Sequence, residues 1–254
     1  MKTLNILTLG LIMAASALPA AAQFKNAEDS ICKTNRFLYQ EAYKSKQYQD
    51  AYEPWKIALE TCPTSTKNLY IQGATILKNL FKESKDATRR QELINELMNL
   101  YDLRIKYYGE AAEVTARKAY DLQLLGGEKA LKEYYAIYAE AMRLGATSLD
   151  VAFIERYFET TVRYVTAGNA DTTLIVDNYD IASEALESLL ENEKDSTKRA
   201  EIRNVVVNVE NRFSPFASCE ELVKIYSKKF EANSMALPPL PQLKHLQIPL
   251  DGET

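Results

Sequence analysis

In the segment Asn35–Pro63, NRFLYQEAYKSKQYQDAYEPWKIALETCP, small and aromatic residues recur at the intervals that two antiparallel helices joined by a short turn require. Counted back from Pro63, Ala58 lies five residues earlier, Trp55 eight, Ala51 twelve, Tyr48 fifteen and Leu38 twenty-five. Two helices approach closely only where small side chains face the neighbour, so Ala51 and Ala58 mark the contact while Trp55 and Tyr48 fill the gaps beside it. The turn is expected at Lys44–Gln47. Past Pro63 the same count starts a second unit near Thr66 and puts Gly73, within NLYIQGATILKNL, at the next close contact.

The rest of the chain extends this pattern. From Glu28 to Asn233 the apolar residues keep helical spacing, with few prolines and no alternating β-branched run, which predicts an all-α fold. The stripe Leu93, Leu97, Leu100, Tyr101, Leu103, Tyr107, Tyr108 predicts a helix over 88–108, stopped by Gly109 and paired with 66–81. A third hairpin is expected over 110–125 and 128–144, turning at Gly126 and Gly127, with Ala130, Tyr134, Ile137, Tyr138 and Ala141 facing inward. A fourth covers 148–167 and 171–191 across Gly168, and a fifth covers 197–212 and 219–232 across Ser214 and Pro215. About five antiparallel helix pairs result.

The frame of Asn35–Pro63 resembles a tetratricopeptide repeat (TPR), with the resemblance covering about residues 35–77. It implies a right-handed helical-hairpin solenoid, a scaffold that binds protein or peptide, with the first helix of each pair lining the binding surface. By that resemblance Arg36, Gln40, Tyr43, Lys67 and Tyr70 are the expected partner-binding residues. Three positions depart from the pattern: Tyr39 stands at the close contact of the first helix, Lys46 replaces the turn glycine, and Pro54 falls inside the second helix, where it removes a backbone donor and is expected to kink it. In such a hairpin Cys32, before the first helix, and Cys62, at the end of the second, come to the same end. A Cys32–Cys62 disulfide is therefore expected, worth roughly 3 kcal/mol in the chain-entropy account. Cys219 is left without a partner.

Lys2, the apolar stretch Leu4–Leu18 and the small residues Ala20, Ala21 and Ala22 read as a secretory signal over 1–22, cut after Ala22. No cysteine follows the cut directly, so a lipid anchor is not expected, and the mature chain is expected in the periplasm or secreted, with no membrane span. Removing the signal takes Lys2 from 31 basic side chains against 35 acidic ones, leaving a modestly acidic chain with interspersed charges and no feature that asks for nucleic acid. One solenoid domain is expected over 24–233. The tail 234–254, SMALPPLPQLKHLQIPLDGET, is proline-rich and is expected to be extended. It lacks a polar capping helix, and with the unpaired Cys219 this suggests a shortened form of a longer repeat protein.

Catalytic signals are sparse. The one histidine, His245, lies in the tail, and neither a nucleophile with its base, a zinc-ligand spacing nor a phosphate loop appears, so no cofactor or metal is expected. The pairs Glu110 and Glu113, Glu155 and Glu159, Glu184 and Glu187 each share a helix face and are read as solvated surface charge. The sixteen tyrosines are read mostly as core fillers. The expected function is a non-catalytic protein- or peptide-binding scaffold of the bacterial envelope. A helical-hairpin carbohydrate-active protein and a structural spacer in an outer-membrane assembly are the alternatives.

Overall fold

The computed structural model describes residues 20–218 together with Val223 and Ser227. Most of the expected signal, Cys219, the last expected helix apart from those two residues, and the proline-rich tail lie outside the described residues. Every regular element among the described residues is helical. The chain divides into two compact units between Ser84 and Lys85.

The first unit holds α1 (Ala20–Lys44), α2 (Tyr48–Thr61) and α3 (Asn68–Glu83). α1 packs on α2, and α2 on α3. Ala51 and Ala58 are completely buried, as their spacing predicts, and Tyr39 is buried at the close contact where a small residue was expected. The turn between α1 and α2 keeps the left-handed backbone of a glycine turn although Lys46 occupies it, with φ 57°. α2 continues as helix on both sides of Pro54.

Trp55 joins α2 to α3. Its indole Nε1 donates a buried 2.7 Å hydrogen bond to the Leu69 carbonyl, one of the first carbonyls of α3. The same ring lies over Gly73, so a Cβ added there would sit 2.5 Å from Nε1. Gly73 is needed for space, because the indole occupies the volume a side chain would take.

Cys32 and Cys62 are bonded, with their Cα atoms 5.9 Å apart. Cys32 lies inside α1 rather than before it, because the helix starts further back than the spacing indicated, and Cys62 caps the end of α2. The bridge therefore ties the body of one helix to the terminus of the next.

The second unit holds α4 (Ala87–Tyr108), α5 (Ala111–Gly126), α6 (Leu131–Gly145), α7 (Val151–Thr166), α8 (Thr173–Asn192) and α9 (Ser196–Phe213). Each packs on the next, and α9 also returns to α7. The helices expected to form the second hairpin, α3 and α4, belong to different units. Three helices start on an aspartate whose carboxylate accepts backbone N–H bonds: Asp86 from Arg89, Asp150 from Ala152, and Asp195 from Thr197 and Lys198. α4 stops at Gly109, with φ 73°.

Polar side chains tie this unit together internally. The Tyr101 hydroxyl of α4 donates 2.6 Å to the buried Asp121 carboxylate of α5. Asn178 of α8 donates 3.0 Å bonds to the Tyr135 hydroxyl of α6 and to the Thr161 hydroxyl of α7. Tyr135 stacks on Tyr164 at 4.2 Å, and Tyr179 on Phe213 at 3.9 Å. Tyr134, Tyr138 and Ala141 are buried as expected, while Ala130 and Ile137 are only half-buried.

Three stability outcomes follow. Gly73→Ala forces a pinned indole to move and is expected to cost about 1 to 3 kcal/mol, against less than about 0.5 for Lys85→Leu on the surface; equal urea midpoints for the two would remove the Trp55–Gly73 contact from the account. The double variant Cys32→Ala/Cys62→Ala is expected to lose roughly 2 to 4 kcal/mol, and an unchanged melt would show that the bridge does not constrain the unit. Tyr101→Phe takes a donor from a buried carboxylate and is expected to cost about 1 to 3 kcal/mol, read as a lower melting temperature.

Candidate partner-binding surface

The five residues expected to bind a partner all fall in the first unit, but they are not alike. Arg36 and Gln40 lie one turn apart on α1, both half-buried. Gln40 Nε2 donates 3.5 Å to the Tyr39 hydroxyl, whose ionisation burial pushes up. No carboxylate among the described residues pairs with Arg36, and its buried Nε meets no acceptor. Tyr43 meets Tyr48 edge-on at 5.9 Å across the turn, and half-buried Lys67 directly precedes α3. Tyr70 is different: it is 1% exposed and donates 3.0 Å to the Pro63 carbonyl. It closes the loop between α2 and α3 from inside and is no surface anchor.

The exposed apolar side chains were not anticipated as a surface. Phe37 is 63% exposed, Leu38 47%, Ile31 46%, and Ile71 on α3 45%. Cys32 and Tyr39, seven residues apart, mark the stripe of α1 that is buried. Ile31 and Leu38 each precede one of these by one residue, about 100° around the helix, and leave that stripe. Phe37 and Ile71 lie 34 residues apart, on α1 and α3. A helical wheel centred on Cys32 and Tyr39 finds this face; reading Leu38 as a packing position hides it.

Two of the three carboxylate pairs are held by arginines. Arg212 reaches Glu155 at 3.2 Å and Glu159 at 3.7 Å, and Asn208 Nδ2 donates 3.0 Å to Glu155. Glu113 pairs with Arg117 at 2.7 Å and Glu110 with Arg104 at 3.1 Å, while Glu184 and Glu187 lie on the surface of α8. Glu155 and Glu159 are thus tied to α9, Glu110 is tied across the turn before α5, and Glu113 is tied within α5.

A second aromatic and cationic cluster lies in the other unit, between α5 and α7. The Arg156 guanidinium sits 4.5 Å from the Tyr120 ring centre, and that of Arg117 5.8 Å from the Phe153 ring centre. The two rings meet edge-on at 6.4 Å. Among the described residues, no group of three or more histidine, cysteine or acidic side chains converges as metal ligands, and no helix is long and apolar enough to cross a membrane.

No family model matches the chain, and no curated relative matches it. Solved structures with a similar course include a MamA protein, with 10% identity over 83% of this chain and 100% of the other, at a TM-score of 0.41. A thermophilic TPR protein of Thermus thermophilus has 14% identity over 74% of this chain and 93% of the other, also at 0.41. The all-α arrangement of successive packed helices described above rests on the helices themselves.

Proposed function

We propose that this chain is a non-catalytic scaffold of the bacterial envelope, built from tetratricopeptide-like hairpins, that holds a protein or peptide partner on its first unit. The observation that carries the reading is the exposure of Ile31, Phe37 and Leu38 on α1, a helix that also carries Arg36, which has no acidic partner among the described residues. Large apolar side chains exposed on one helix are unfavourable in water unless a partner covers them, and aromatic and arginine side chains are enriched at the energetic centres of interfaces. The envelope location is supported by the Cys32–Cys62 bond, which suits an oxidising compartment, and by the signal-like residues at the start of the chain.

The reading separates binding from stability. Replacing Arg36, Phe37 and Leu38 together with serine is expected to leave the helical circular dichroism and the melt close to those of the parent, because Phe37 and Leu38 lie outside the buried stripe. With the mature chain as bait in envelope extract, the same variant is expected to lose its co-purifying protein, by about thirty-fold for hot-spot residues of at least about 2 kcal/mol. Retention of the same protein at the same yield by a folded variant contradicts the proposed surface.

A further inference from the structure

Within the first unit α1 packs mainly on α2. Its buried stripe runs through Cys32 and Tyr39, and roughly 150° around the helix from that stripe lies a row that is exposed throughout, Lys33, Phe37 and Glu41. Residues four apart form the ridges through which helices pack on one another, so this row is a surface a second helix can meet. Its charges are arranged about its centre. Phe37, 63% exposed, has a cation four residues before it and a carboxylate four residues after it, each about 6 Å away along the axis. Lys33 has no acidic partner among the described residues. Glu41 is held by Lys44 at 2.7 Å through Oε1, which leaves Oε2 to accept from a second cation.

Two copies of such a row can lie against each other in two directions. In parallel, with Phe37 level, each residue meets its own copy, so Lys33 lies against Lys33 and Glu41 against Glu41, and both contacts repel. Antiparallel, about a two-fold axis at Phe37, the two rings meet and each Lys33 faces Glu41 of the second copy, so the same attractive contact is made twice. We infer that the exposed row of α1 pairs with the same row of a second copy of this chain, antiparallel and centred on Phe37. The pairing rests on the reading of α1 as a partner-binding face and names the partner. It takes the Phe37 ring out of water and gives Lys33 an acidic partner. One helix from each copy makes a small interface, so the pair is expected to be weak, with dissociation roughly in the micromolar range.

Sedimentation equilibrium of the mature chain, from about 1 μM to about 1 mM, is expected to show monomers converting to dimers. Lys33→Glu alone and Glu41→Lys alone each set like charges against each other at both contacts, and each is expected to weaken the dimer by about tenfold or more. Their melts are expected to match the parent, because both side chains are exposed. The double variant Lys33→Glu/Glu41→Lys exchanges the charges and is expected to restore the dimer. An equimolar mixture of the two single variants is expected to form a mixed dimer more tightly than either variant pairs with itself. Self-pairing through this row is contradicted by a parent chain that stays monomeric at the highest concentration, by single variants that dimerise as the parent does, or by a double variant that stays as weak as the single ones. A monomeric parent whose α1 still captures a different protein from extract removes only the second copy as occupant, whereas a folded Arg36, Phe37 and Leu38 serine variant that keeps both its dimer and its captured protein removes the face itself.

Discussion

The first unit depends on one contact, the Trp55 indole lying over Gly73. The hydrogen bond from Nε1 to the Leu69 carbonyl fixes the ring at the start of α3, and the absence of a side chain at Gly73 leaves room for that ring between α2 and α3. With that joint closed, Ala51 and Ala58 reach full burial and Tyr70 points inward to the Pro63 carbonyl. The disulfide adds a constraint of another kind: it shortens the list of open conformations available to the unfolded hairpin, whereas the indole contact stabilises the folded one.

The second unit reaches order through polar pairs as much as through apolar packing. A tyrosine buries a wide ring and still offers a hydroxyl, so a helix interface can be filled and given a direction by one residue. Tyr101 with Asp121, and Tyr135 with Asn178 and Thr161, do this between successive helices. Such groups are costly when one partner is removed, because the other is left buried without its bond. That asymmetry favours one register of helix packing over its neighbours in a chain whose apolar spacing is similar from helix to helix.

Much of this was legible in the residues. Ala51, Trp55, Ala58 and Gly73 occupy the contacts that their spacing indicates, and Gly109, Gly127 and Gly168 stand where the backbone turns left-handed. What was hidden depends on orientation around a helix. Tyr70 falls on a first helix, where the resemblance places binding residues, yet its ring turns into the core; Leu38 stands in the packing frame and, like Phe37, is exposed. Periodicity gives the stripe that is buried only after one of its members is known, and here Cys32, fixed by its bond to Cys62, supplies that reference. The Arg156 and Tyr120 contact was illegible for a simpler reason: it joins residues of different helices, and no spacing along the chain encodes it.

The central claim is that the exposed face of α1 is where this chain meets its partner. The most direct test installs a photoreactive phenylalanine at Phe37 in one strain and at Glu60, exposed on α2, in another, and irradiates living cells of the native organism. The account predicts a discrete higher-mass adduct of the chain from position 37 and none from position 60. Absence of any adduct at 37, or the same adducts from both positions, would contradict it.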